Sequence, residues 1–201
     1  MPTTRVYFEE GNTSVFAVAL EWPGWCRRAK TRDLAIGALL DYRERYARIV
    51  TTGFKPGCLE AIGAVKGNTT TDFGAPGVQG PWDEEPFVTK DVKQHVALLR
   101  DCWTSFDEVL ATSSAVLAKG PRGGGRDRDD VARHVQEAER RYCTKLGTRV
   151  APRTPWADQR AVIAATLLAG APGAVWPPRY AIRRLAWHVV DHVWEIEDKS
   201  T

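Results

Sequence analysis

The segment Ala181-Ile182-Arg183-Arg184-Leu185-Ala186-Trp187-His188-Val189-Val190-Asp191-His192-Val193-Trp194-Glu195-Ile196 reads as one amphipathic helix. With about 100° per residue and Ile182 as origin, Leu185, Ala186, Val189, Val193 and Ile196 form an apolar stripe. His188 and His192, one turn apart on a single face, lie on the flank of that stripe beside Leu185, and Asp191 falls on the wetter side. A second helical segment, Val131 to Leu146, has Val131, Val135, Ala138 and Tyr142 as its stripe and His134 on its shoulder. Three imidazoles at the edge of a helix-packed core need partners, and one metal ion can supply them. Three protein ligands leave coordination positions open, as in catalytic sites. The plainer alternative is chance, because i,i+4 histidine pairs and surface histidines are common.

Working outward, residues from Lys90 onward carry four helical patterns. The first runs from about Lys90 to Ala118, with Val92, Val96, Leu99, Trp103, Phe106 and Val109 at 3/4 spacing, and stops in the loop Gly120 to Gly125. The second runs from about Asp127 to Leu146, followed by Gly147. The third opens at Thr154-Pro155, a capping residue with Pro at the first helical position, and stops near Gly170. Pro177-Pro178 opens the fourth, which ends near Asp198. Four amphipathic helices with moderate loops predict an all-α four-helix bundle over residues 90–201.

Residues 67–89 are dense in Gly and Pro and read as a connection; Trp82 and Phe87 imply that it packs on something. Residues 1–66 have another character. Val6-Tyr7-Phe8, Ser14 to Glu21, Trp25 to Lys30 and Leu59 to Val65 read as strands. Thr31 reads as the N-cap of a helix to about Val50 with Leu34, Ala38, Leu39, Tyr42, Tyr46 and Ile49 on its apolar face. The expectation is an α+β N-terminal domain, a small β-sheet with one helix.

Composition fits a globular chain: of 201 residues, 43% are hydrophobic and 26% charged. A net charge of +3 without a sustained Lys/Arg stripe does not point to nucleic acid, and the basic stretch Arg122 to Arg128 is interrupted by Asp127. No run of 18 apolar residues predicts a membrane span, and Met1-Pro2-Thr3-Thr4-Arg5 lacks an apolar signal region, so a cytoplasmic location is expected. Cys26, Cys58, Cys102 and Cys143 are widely spread and read as buried small side chains.

The second half resembles the DinB-like superfamily of metal-binding four-helix bundles. Ala132-Arg133-His134-Val135-Gln136-Glu137-Ala138-Glu139 and Trp187-His188-Val189-Val190-Asp191-His192-Val193-Trp194-Glu195 carry the likeness. The resemblance covers roughly residues 88–198 and implies that His134, His188 and His192 hold a divalent metal. Some relatives in that superfamily are S-transferases or isomerases using a low-molecular-weight thiol; many have no known reaction. Related bundles often pair, so the resemblance also makes a homodimer an expectation. Residues 1–66 resemble a HicB-type antitoxin domain, on Phe16-Ala17-Val18-Ala19-Leu20-Glu21-Trp22-Pro23-Gly24-Trp25 and Thr31-Arg32-Asp33-Leu34-Ala35. Leu34 stands where that family has an acidic residue, and no DNA-binding segment follows. What carries over is the β-β-α fold and not the function.

Three imidazoles do not choose among Zn²⁺, Ni²⁺ and other first-row ions. Either a water or a thiol at an open position would become a nucleophile. Glu137 and Glu195, each three residues after a histidine, are candidate catalytic groups, as orienting carboxylate or general base; a solvated helical face is the alternative. His95 reads as a hydrogen-bonded edge histidine, Trp82, Trp176, Trp187 and Trp194 as packing or cavity wall, and Arg183 and Arg184 as surface arginines or contacts to an anionic thiol. Three functions remain open. One is a metal-dependent enzyme acting on a small-molecule substrate. Another is a non-catalytic binding or regulatory protein using residues 1–66, with a dry histidine cluster. The third is a closed structural metal, which a fourth ligand such as Glu137 or Glu195 would favour.

Overall fold

The structure, a computed structural model, describes residues 2–51, 53–120 and 124–200. Met1, Pro121, Arg122 and Gly123 lie outside the described residues, and with them parts of the N-terminal, loop and basic-stretch readings. An N-terminal mixed sheet with flanking helices precedes a bundle of four helices, as the hydrophobic periods predict.

Strands β1 (Thr3–Glu10), β2 (Val15–Ala19), β3 (Cys26–Ala29) and β4 (Cys58–Lys66) form a sheet in the order β3-β2-β1-β4. β1 pairs antiparallel with β2 and parallel with β4, with a register irregularity between Val6 and Tyr7. Alternate residues face opposite sides of a sheet, and here both sides are covered. Val6, Phe8, Val15, Ala17 and Ala19 join the main core shared with the helices. Tyr7, Phe16 and Val18 pack under Trp82 and Trp187.

The expected helix after Thr31 is two helices, α1 (Arg32–Asp41) and α2 (Arg43–Ile49). Thr31 caps α1, its hydroxyl accepting from Leu34 N at 3.3 Å. The break at Tyr42 sets that ring edge-on to Trp194, 4.7 Å between centroids, with the Arg27 guanidinium 3.8 Å above it. The connection is more ordered than its Gly and Pro content predicts. It holds a one-turn helix, α3 (Thr69–Phe73), and a 3-10 turn, Pro81–Asp83. Glu9, buried in β1, is the reason: it accepts from Thr71 Oγ1 (2.6 Å), Gly77 N (2.8 Å) and Val78 N (3.0 Å).

The bundle comprises α4 (Thr89–Thr112), α5 (Arg128–Lys145), α6 (Trp156–Leu168) and α7 (Pro178–Lys199). α4 ends six residues before the expected Ala118. Ser113 takes extended backbone and the Ser114 hydroxyl accepts from Val116 N, the kind of local bond that competes with a helix. In α6, Pro155 is the cap position and not the first helical residue, which is Trp156. Glu139, buried in α5, ties three helices: it accepts from Trp103 Nε1 at 2.8 Å, Trp156 Nε1 at 2.6 Å and Arg160 Nε at 3.4 Å. Of the cysteines, Cys26, Cys102 and Cys143 are buried as expected; Cys58, on the edge strand β4, is exposed.

α7 is buried at 15 of its 22 residues, so it is covered nearly all round and not along one stripe. One side packs in the bundle; another meets the sheet. Gly24, at φ +97°, makes that approach: a Cβ there would lie 3.0 Å from Val190 Cγ2 and 3.4 Å from Ala186 O. Arg183 is therefore not a surface arginine. It is 3% exposed, donates to both Asp83 oxygens at 2.6 and 3.1 Å, and reaches Tyr7 Oη at 3.4 Å. Asp83 also accepts from Gly80 N at 2.9 Å, so connection, sheet and α7 are fixed by one ion pair. Replacing Asp83 by Ala strands a buried guanidinium, a change that typically costs about 3–5 kcal/mol. Urea unfolding of Asp83→Ala is expected to show a loss of that order, and a loss below about 1 kcal/mol would refute this role.

Candidate metal centre

α5 and α7 bring His134, His188 and His192 together. One ligand atom from each lies within 4.8 Å of the others. The His134 and His188 Nε2 atoms are 3.2 Å apart, and the ring centroids are 4.7 to 5.1 Å apart. His188 and His192 are buried and His134 is half-buried. Two lone pairs cannot face each other at 3.2 Å without a proton or a cation between them.

Electrostatics favour neutral rings at His188 and His134. Burial pushes His188 well below the usual histidine range, and His192 and Arg184 act in the same direction. Burial also lowers His134, with Arg126 next in effect. Neutral imidazole is the metal-ligating form.

Glu195 orients the set. Its Oε2 lies 2.7 Å from His192 Nδ1 and its Oε1 accepts from Lys199 Nζ at 2.5 Å. Those contacts, the His192 bond first, hold its carboxyl down at about 2. An ionised carboxylate only accepts, so Nδ1 must donate, and in the neutral ring that leaves the Nε2 lone pair free. The donor set thus fits a first-row divalent ion: three imidazoles, with one tautomer fixed from behind. His188 Nδ1, by contrast, is buried without a hydrogen-bond partner. Among the described residues no fourth His, Cys, Asp or Glu joins the group.

Beside the histidines opens a cavity of about 450 Å³. Glu137 lines it, its carboxylate 3.8 Å from Arg141 and largely exposed. Glu195 is not among the lining residues. Trp187, Tyr142 and Arg184 form wall. Arg184 lies 4.7 Å above the Trp187 ring and donates to Pro76 O at 2.6 Å. Asp191, which helical phase puts on the wet side, also lines the cavity and pairs with Arg27 at 3.4 Å. Phase around one helix could not reveal this, because the partner comes from β3. Phe73 and Ala75, from the connection, complete the rim and carry no local sequence signal. Of the other aromatics, Trp82 packs at a tilt on Tyr7 and Trp194 meets Tyr42 edge-on, both as packing. His95 stands apart, its Nδ1 2.9 Å from Asp91 O and its Nε2 3.3 Å from Leu20 O.

No family model, curated protein or solved structure matches the chain. No helix among the described residues is long and apolar enough to cross a membrane.

The Glu195 contact makes a direct prediction about protons. In metal-free protein at neutral pH, His192 is expected as the Nδ1–H tautomer, read from long-range proton–nitrogen correlation spectra. Finding the Nε2–H tautomer would remove the orienting role of Glu195.

Proposed function

We propose that the protein is a metal-dependent enzyme of the DinB-like type, with His134, His188 and His192 as the ligands of one divalent ion, and that it acts on a small-molecule substrate by thiol transfer. The carrying observation is the convergence of three imidazoles, two of them buried and one half-buried, beside an open cavity. The resemblance of the helix-borne histidines to that superfamily supports the same reading. When bound, such an ion lowers the pKa of a thiol or water presented to it. The identity of the ion, Zn²⁺ or Ni²⁺ among others, is not selected by three nitrogen donors.

The chain's own groups then take distinct roles. Glu195 is a positioning residue, since it reaches His192 and not the cavity. Glu137 faces the cavity one turn beyond His134 and, with Asp191 paired to Arg27, is the carboxylate assigned to a substrate proton. In the thiol-transfer reading Glu137 takes the S–H proton, the sulfur electron pair forms a bond to an electrophilic carbon, and the leaving group departs with its own pair. Trp187 and Tyr142 exclude water from the apolar part of the substrate. The cavity favours this reading over a dry binding module, and the three-residue donor set favours it over a closed structural metal.

Elemental analysis of untagged protein, after incubation with Zn²⁺, Ni²⁺ or Mn²⁺ and desalting, tests the centre. The expected result is a stoichiometric ion lost in His134→Ala, His188→Ala and His192→Ala alike; no bound ion in wild type would overturn it. Glu195→Gln is expected to weaken metal affinity about 10- to 100-fold, as loss of an outer carboxylate usually does, while the melting temperature stays close to wild type. A collapse in melting temperature on metal removal would mark the ion as structural.

A further inference from the structure

A recess of about 190 Å³, on the sheet side of the histidine cavity, shares Trp187 and Asp191 with it. Arg27 and Arg28 of β3 line this recess, with Gly74 from the connection. Together the two spaces hold four guanidinium groups, Arg27, Arg28, Arg141 and Arg184, against two carboxylates, Glu137 and Asp191. Both carboxylates are already paired, with Arg141 and Arg27. Arg184 is bonded to a carbonyl. Arg28 has no ion pair among the described residues. Its guanidinium lies over Gly74, where a Cβ would come within 2.5 Å of Nη1.

Between the Arg28 end and the histidines stand Trp187 and Asp191, the latter paired with Arg27, with Phe73 on the rim of the larger space. Phe73 is 95% exposed, an unusual state for a phenylalanine, and it lines the rim. It is not on a loose tether. Asn68 caps its helix with a capping box, and Asp72, beside it, accepts from Asn12 Nδ2, Thr13 N and Thr13 Oγ1. An exposed aromatic on a pinned turn is preorganised for contact, because little freedom is left to lose on binding. Trp187 lines both spaces.

We propose that the two spaces form one groove for a small amphipathic anion, whose charge sits at Arg28 and whose aromatic or alkyl body lies between Phe73 and Trp187. The end of the molecule away from its charge is thereby directed to the three histidines. The N-terminal sheet and the connection thus set the substrate class for a centre built on the bundle. The proposal rests on the metal-centre reading only for what happens at the histidine end.

Calorimetric titration of the full chain, treated with a chelator so that no ion competes for the carboxylate, separates the two. 2-Naphthoate is expected to bind saturably and about ten-fold more tightly than its neutral counterpart 2-naphthalenemethanol, the effect of one charge-assisted contact. Arg28→Gln is expected to abolish that preference, and Phe73→Ser to weaken both ligands alike. Arg28 and Phe73 side chains are exposed, so neither variant threatens folding. Equal affinity for the two ligands, no saturable binding, or an unchanged preference in Arg28→Gln would overturn the groove. Metal content measured on the same variants is expected to be unaffected. Wild type that binds naphthoate selectively but takes up no metal would sink the metal centre and leave the groove standing.

Discussion

Everything in this molecule is arranged around the burial of α7. A helix covered on one stripe serves one core; α7 is covered nearly all round and serves as wall for both the bundle and the sheet. The close approach at Gly24 and the ion pair of Arg183 with Asp83 fix its depth and its rotation. Rotation matters because the two histidines differ from their apolar neighbours only by helical phase. With α7 fixed, His188 and His192 are held at a border where cover gives way to a cavity, and His134 meets them from α5. The same burial pushes His188 and His134 below the usual histidine range, and neutral rings are what a metal requires.

Buried carboxylates do the joining elsewhere. Glu9 orders the connection, Glu139 ties α4, α5 and α6, and Asp83 anchors α7. Each is surrounded by donors, which is the condition for keeping such a group inside. Burial raises the Glu139 carboxyl, while Arg160 and the two indole N–H groups pull it down.

Periodicity was legible where one helix or strand faces one core. The four bundle helices, the alternation of β1 and β2, the Thr31 cap and the convergence of the three histidines all follow from it. What it could not carry were contacts between distant segments. Arg183 reads as a surface residue until Asp83 arrives from a connection 100 residues away. Asp191 reads as wet until Arg27 comes across from β3. The break at Tyr42 brings that ring against Trp194, and the order of residues 67–89 rests on Glu9. The site shows the same division: its ligands are written in helical spacing, whereas its rim, Phe73 and Ala75, comes from a stretch whose composition signals only a turn.

The contact between Tyr7 and Arg183 spans 176 residues of chain. β1 therefore leaves the ribosome long before the helix that covers its Trp187 face exists. At translation rates of about 5–20 residues per second, that strand waits roughly 10 to 35 s for its cover. During that time Tyr7, Phe16 and Val18 present an apolar sheet face with an open β4 edge, the kind of surface that nascent chains lose to aggregation. The sheet face that Trp187 covers is thus the last part of the N-terminal core to be completed.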